Sequence, residues 1–130
     1  MPKILVIDDE KDVCDTLKDI FIKEGYKVET ALSGKEAIFK VQTEKPDLIL
    51  LDIRMPEMGG IEVLKKVKEI DNDIPVAIIT AHEDIEAAKE AMLLGAYDYI
   101  RKPFDIKYVR ASVLSKLIPE RINDSTDDHK

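Results

Sequence analysis

Three short runs of consecutive apolar residues limit the folds that this chain of 130 residues can adopt: ILVI at 4–7, LILL at 48–51 and VAII at 76–79. A strand with one face in water alternates apolar and polar residues, whereas a strand covered on both faces is apolar throughout. Two weaker strand signals, YKVETA from Tyr26 and AYDYI from Ala96, bring the number of predicted strands to five. The runs therefore predict a sheet whose central strands are buried on both faces.

Five segments with helical spacing of apolar residues follow the five predicted strands. Gly25 and Gly95 stand where a helix is expected to stop, and Ser33 and Asp105 stand where one is expected to be capped. The apolar positions of the five segments are Val13, Leu17, Ile20 and Phe21; Ala37, Ile38 and Val41; Leu64, Val67 and Ile70; Ile85, Ala88 and Met92; and Val109, Val113 and Leu117.

The alternation of strand and helix indicates an α/β fold. Short connections between parallel strands are right-handed crossovers, which place helices on both faces of the sheet. We expect a doubly wound, five-stranded parallel sheet with five helices and the flavodoxin-like strand order 2-1-3-4-5, the order being an analogy with known folds. The length fits one domain, predicted at 1–118, and PERINDSTDDHK at 119–130 is expected to be a polar tail or the start of a linker.

Composition excludes several classes of protein. The net charge of −7, with basic and acidic residues mixed along the chain, argues against direct nucleic-acid binding, which needs a basic face. A single cysteine, Cys14, cannot form an internal disulfide, and its helical position suggests a buried, unreactive thiol. We find no signal peptide and no apolar run near 18 residues, so a cytoplasmic protein without membrane contact is expected.

Polar residues gather at the carboxyl ends of the predicted strands, and in an open sheet these ends share one edge. Asp8 and Asp9 follow the first strand, Asp52 follows the third, Thr80 ends the fourth, and Lys102 comes just after the fifth. Alone, each has an ordinary explanation, such as a helix cap, a strand-end threonine or a solvated lysine. Together they predict a functional site.

The chemistry of this residue set points to a divalent cation and phosphate. Three crowded carboxylates repel one another unless a proton or a cation holds them, and Mg²⁺ prefers such oxygen ligands. An aspartate can also act as a nucleophile and form an acyl phosphate. In that reaction the cation bridges the Asp52 carboxylate and the phosphoryl group, while Lys102 and the Thr80 hydroxyl contact other phosphoryl oxygens.

Four motifs in order, VIDDE, LLDIRMP, IITA and GAYDYIRKPF, give the chain a close resemblance to the receiver domain of bacterial two-component response regulators over residues 3–117. The resemblance implies that Asp52 takes a phosphoryl group from a phosphohistidine on a sensor histidine kinase or a phosphotransfer protein. It further implies that Asp9, Asp52 and the backbone carbonyl of Arg54 bind Mg²⁺, with Asp8 assisting through water.

The resemblance also implies a conformational switch. Thr80 and Lys102 match the family's phosphoryl-contacting pair, and Tyr99 matches its switch aromatic, which turns inward when Thr80 moves toward the phosphate. The face built from the fourth helix, fifth strand and fifth helix would then change its packing and control an output, with phosphorylation-dependent homodimerisation as one hypothesis. Such a domain is a signalling module and not an enzyme, because it catalyses only its own phosphorylation and dephosphorylation.

Near the predicted site, residues 54, 59 and 82 are of interest in comparison with the family pattern. Gly59 stands where many relatives have an acid, which is expected to affect the loop and not the chemistry. Arg54 and His82 are bulky and lie where the family tunes hydrolysis, so they are expected to screen the attacking water and prolong the phosphoryl state.

Rival functions fit the sequence less well. A flavin protein needs a loop that cradles phosphate after the first strand, but DDEKD would repel one, and no GxGxxG follows any strand. A magnesium phosphatase would have an acid where Arg54 stands. A non-phosphorylated scaffold would lack one or more of the acids, Thr80 and Lys102, and all of them are present here. Two outputs remain open: a single-domain phosphorelay intermediate, or the N-terminal part of a transcription activator with an ATPase domain.

Overall fold

Five strands alternate with five helices in the computed structural model, which describes residues 1–81 and 85–117. The strands are all parallel and lie in the order β2-β1-β3-β4-β5, which confirms the predicted fold. The elements are β1 (Lys3–Ile7), α1 (Lys11–Lys23), β2 (Lys27–Ala31), α2 (Gly34–Glu44), β3 (Leu48–Leu51), α3 (Gly60–Ile70), β4 (Val76–Thr80), α4 (Ile85–Leu93), β5 (Asp98–Arg101) and α5 (Ile106–Leu117).

The three central strands are buried on both faces, as their continuous apolar runs predict. Every residue of 4–7, 48–51 and 76–79 is at most 2% exposed. Alternate residues pack against α2, α3 and α4 on one face of the sheet and against α1 and α5 on the other. Burying a side chain of this size stabilises the fold by about 1.5–3 kcal/mol. The carboxyl ends of these strands are therefore held in place by the whole core.

Both helix starts that the sequence marks have their predicted caps. The Ser33 hydroxyl accepts a hydrogen bond from the Glu36 backbone N–H at 3.2 Å, while the Glu36 carboxylate accepts one from the Leu32 N–H at 2.8 Å. At the start of α5, the Asp105 carboxylate accepts a hydrogen bond from the Lys107 N–H at 2.8 Å. These side chains satisfy backbone donors that have no partner within the helix.

Two helices, α1 and α4, end shortly before the two predicted glycines. Gly25 and Gly95 have φ of +96° and +107°, a conformation that a side chain disfavours. Lys45 ends α2 in the left-handed conformation, with φ of 49°, although it is not glycine.

The buried face of α4 differs from the one that the sequence pattern predicts. The sequence pattern aligned Ile85, Ala88 and Met92, yet Ile85 and Met92 are exposed, whereas Ala91 is buried and Ala87 packs beside it. Alanines form the inward side of this nine-residue helix, and its larger apolar side chains face outward. The helix itself is confirmed, but its assigned buried face is wrong.

A polar network joins β5 to α5. The Tyr97 hydroxyl donates to the Ser112 carbonyl at 3.1 Å, and burial raises the pKa of Tyr97 to about 12. The Ser112 and Tyr108 hydroxyls donate to the Asp98 carboxylate at 2.8 and 3.0 Å. Polar contacts thus add to the apolar packing of Val109 and the rest of α5.

Among the described residues, no helix combines the length and the apolar character needed to cross a bilayer. The tail predicted at 119–130 lies outside the described residues, and the domain boundary predicted after residue 118 stays a prediction.

Candidate acidic site at the carboxyl edge of the sheet

Three aspartates meet where β1 and β3 end. Asp8 and Asp52 are buried and Asp9 is exposed, and one carboxylate oxygen from each lies within 4.8 Å of the others. Backbone hydrogen bonds continue past the strands to fix this edge: the Asp8 N–H donates to the Ala31 carbonyl at 3.0 Å, and the Asp52 N–H to the Ile7 carbonyl at 2.9 Å. The predicted convergence of the acids is therefore present.

Lys102 is the cation of the site. Its Nζ lies 2.7 Å from Asp8 Oδ2, 3.8 Å from Asp52 Oδ2 and 3.9 Å from Glu10 Oε1, and its side chain is 11% exposed. Burial alone would lower the pKa of Lys102, but the hydrogen bond to Asp8 and the nearby carboxylates raise it above the usual value. The backbone N–H of Lys102 also donates to the Thr80 carbonyl at 2.9 Å, which ties the lysine to β4.

The surroundings of the Asp52 carboxyl group disfavour its charged form. Burial is the largest cause of the raised pKa of Asp52, and the negative charge of Asp8 is the next. The rise is partly offset by Lys102, by the Arg54 backbone N–H at 3.3 Å and by the Thr80 hydroxyl. A carboxylate that is crowded and desolvated in this way gains from any cation or proton that reaches it. The position of Asp52 therefore favours binding of a cation at this edge of the sheet.

The remaining predicted residues surround this centre. Thr80 is buried at the end of β4 and hydrogen-bonds Asp52. Tyr99 is half-buried on β5, beside Ile78 in the sheet register, and packs against the core. Arg54 is exposed just after Asp52, and His82 lies outside the described residues.

Two neighbours of Asp8 had no assigned role in the sequence analysis. Glu10 donates its backbone N–H to Asp8 Oδ1 at 2.9 Å and lies near Lys102. The Cys14 thiol donates to the Asp8 carbonyl at 3.4 Å, and its pKa is raised to about 11, first by burial and then by the Asp8 charge. The sequence marks Cys14 only as a core position, because nothing in a helical pattern shows which carbonyl a thiol will meet.

The donor set fits a hard divalent cation. Among the described residues, the cluster offers only carboxylate oxygens, and these are ligands that Mg²⁺ prefers. The carboxylates of the cluster carry more negative charge than Lys102 balances, which favours a divalent cation. Asp8, Asp9 and Asp52 are therefore suited to hold this ion.

The fold and site together define a class: CheY-like α/β proteins with an acidic pocket at the carboxyl edge of a five-stranded parallel sheet. A family model for the response regulator receiver domain matches residues 4–114, and the chain belongs to that family. It is thus a signalling domain of two-component systems, as the sequence motifs indicated, and the flavin- and dinucleotide-binding alternatives are set aside.

Individual relatives support this assignment. The chain is 42% identical over 121 residues to sporulation initiation phosphotransferase F of Bacillus subtilis (strain 168), which covers 93% of this chain and 97% of the relative. It is 40% identical over 122 residues to the transcriptional regulatory protein ZraR of Klebsiella oxytoca, covering 94% of this chain but 28% of ZraR. Among solved structures, a CheX–CheY–BeF₃–Mg²⁺ complex from Borrelia burgdorferi matches with a TM-score of 0.83 and 33% identity, over 88% of this chain and 87% of that one.

Proposed function

We propose that Asp52 accepts a phosphoryl group from a phosphohistidine of a sensor histidine kinase or a phosphotransfer protein. A carboxylate oxygen of Asp52 attacks the phosphorus, the P–N bond breaks, and the imidazole nitrogen keeps the electron pair, which leaves an acyl phosphate on Asp52. The observation that carries this proposal is the buried Asp52 carboxylate, grouped with Asp8 and Asp9 and only 3.8 Å from the Lys102 ammonium.

In this proposal Lys102 and Thr80 contact the phosphoryl oxygens. Phosphorylation replaces one negative charge on Asp52 with about two and adds acceptor oxygens. The Lys102 ammonium now bonds Asp8 and lies near Asp52, so a small change of its side chain brings it to the new oxygens. The Thr80 hydroxyl, which already bonds Asp52, donates to another of them.

Asp9, Asp52 and the Arg54 backbone carbonyl would hold Mg²⁺, with Asp8 acting through water. When bound, the ion neutralises the carboxylates and the incoming phosphoryl group. Asp9 is exposed, and we expect a partner's phosphohistidine to approach the cluster from its side.

The response to phosphorylation passes through Thr80 and Tyr99 to the face of α4, β5 and α5. Thr80 ends β4 and pairs with Arg101 of β5, so a shift toward the phosphate acts directly on the strand that carries Tyr99. Inward rotation of Tyr99 then biases the packing of this face, which controls the output and supports homodimerisation. In this scheme the domain catalyses only its own phosphorylation and dephosphorylation, in the cytoplasm.

Two outputs have support from particular relatives. The match to nearly the whole of sporulation initiation phosphotransferase F favours a single-domain phosphorelay intermediate. The match to 28% of ZraR favours the receiver part of a longer transcription activator. Transfer of label from the phosphorylated domain to the histidine of a phosphotransfer protein distinguishes the two, since only the relay requires it.

Phosphorylation by a small donor tests the central step. Incubation with acetyl phosphate and Mg²⁺ is expected to raise the intact mass by one phosphoryl group, and neither Asp52→Asn nor wild-type protein in EDTA should show the increase. Asp19→Asn, which removes an exposed carboxylate on α1, is the matched control and should be labelled like the wild type. Equal labelling of Asp52→Asn and the wild type, or none in either, contradicts the proposal.

A further inference from the structure

Gly60, the first residue of α3, lies directly against the backbone of Asp52. A Cβ atom at this position would overlap the Asp52 carbonyl oxygen and would come within 2.5 Å of Ile53 Cα. The Gly60 N–H donates to the Ile53 carbonyl at 2.8 Å, which draws the start of α3 onto the same two residues. The end of β3 and the start of α3 can approach this closely only because residue 60 has no side chain.

Gly34, the first residue of α2, packs against Met58, in the loop that follows Asp52. A Cβ atom there would come within 2.8 Å of Met58 Cβ and 2.9 Å of the Met58 carbonyl oxygen. The strand just before Gly34 is tied to the site as well, because the Ala31 carbonyl accepts the Asp8 backbone N–H at 3.0 Å. Gly34 therefore packs against the end of the 52–58 segment, and the strand that precedes it is bonded to Asp8.

The close contacts are specific to these two positions. Gly59, adjacent to Gly60, would place a Cβ no closer than 3.6 Å to the Ile53 carbonyl, which is an ordinary contact, and its φ of −73° suits any residue. Gly25 has nothing within 4 Å, and Gly95 would meet only the flexible end of Lys68. Tight packing against backbone thus occurs only where the glycine borders the loop that starts at Asp52.

We propose that Gly60 and Gly34 are positioning residues that hold the 52–58 segment, so that the Asp52 carboxylate and the Arg54 carbonyl keep their places opposite Asp8 and Asp9. The inference rests on the proposed function, since it assigns these glycines to the phosphoacceptor and metal site. They touch neither the phosphoryl group nor the ion and act through the backbone of the loop.

Alanine substitutions at adjacent glycines test this inference. We expect Gly60→Ala to slow labelling by acetyl phosphate about tenfold or more, because small misplacements of a reacting group are costly. Mg²⁺ affinity of the unphosphorylated protein, followed by amide chemical shifts, is expected to fall about tenfold. Gly34→Ala should show smaller losses of both kinds, since its close contacts are with Met58, at the far end of the 52–58 segment from Asp52. Gly59→Ala should stay within about twofold of the wild type.

The Mg²⁺ titration separates positioning from folding, because a merely destabilised variant binds the ion normally at temperatures where it is folded. Losses at Gly60→Ala but not at Gly59→Ala support the inference, and equal values in the two folded variants overturn it. If Gly60→Ala does not fold, Gly34→Ala decides in the same way, and failure of both to fold assigns the glycines to the fold and overturns the inference. An unlabelled wild type would instead refute the proposed function.

Discussion

At the scale of single residues, Asp52 combines a charge with a buried position. Placement after a central strand removes water from its carboxylate and brings Asp8 close, and both effects raise its pKa. The folded state therefore binds a proton at Asp52 more readily than the unfolded state does. The contribution of Asp52 to the free energy of unfolding is largest below about pH 3.9, the pKa of an aspartate in the unfolded chain. It is lost as the pH rises through the pKa of Asp52 in the folded state.

We expect Asp52→Asn to stabilise the protein in EDTA at pH 7, by on the order of 1 kcal/mol in the free energy of unfolding. The gain over the wild type should shrink as pH falls toward 4, because the wild-type carboxyl group becomes protonated. Urea unfolding of both proteins between pH 4 and 7 measures this difference. Asp19→Asn serves as the control, and a gain that does not change with pH would contradict the explanation.

Residue identities predicted the members of the site but not their pairing. Asp8, Asp9, Asp52, Thr80 and Lys102 were predictable because parallel strands bring their carboxyl ends to one edge. The sequence could not show that Lys102 bonds Asp8 more closely than Asp52, since this depends on side-chain packing around a group that is 11% exposed. The close approach of Gly60 to Asp52 was also hidden, because glycine in a loop usually indicates a turn.

At the scale of elements, the starts of helices were predictable where a side chain caps the first turn. Ser33 and Asp105 form local caps, so their neighbours along the chain decide the outcome. The buried face of α4 depends instead on the distance between helix and sheet, which periodicity does not give. Lys45 adopts a left-handed conformation at the end of α2, which its residue type does not predict.

The cap of α2 gives a prediction at this scale. Ser33→Ala removes the acceptor for the Glu36 N–H and is expected to lower the free energy of unfolding by about 1 kcal/mol. Ser33→Asp keeps an acceptor at the same place and should retain most of the stability. Urea unfolding measures both variants, and equal losses in the two would show that the cap is not the cause.

At the scale of the whole molecule, the proposed output face has apolar residues that reach solvent. Leu93 on α4 is 88% exposed, and Ile106, Tyr108 and Leu114 on α5 are exposed as well. A net charge of −7 opposes association of two copies, so a stable dimer needs a well-packed interface of about 1,200 Å² or more. We therefore expect a change of packing on this face to control assembly.

We expect the domain to sediment as a monomer alone and to double in mass with Mg²⁺ and beryllofluoride, which stands in for the phosphoryl group. Leu93→Asp should keep it monomeric, because a carboxylate cannot be buried there without a partner. Phe39→Asp on α2, where the side chain is 63% exposed, is the matched control and should still dimerise. An unchanged mass in the wild type, or equal loss in both variants, refutes this mode of assembly.

The position of Cys14 has a practical consequence for studies of the protein's dynamics. Its thiol is enclosed between α1 and the sheet beneath the carbonyl of Asp8, and its pKa of about 11 leaves little thiolate, the form that alkylating reagents attack. Such reagents gain access only when α1 separates from the sheet. The rate of alkylation therefore reports how often this side of the molecule opens, without any engineered label.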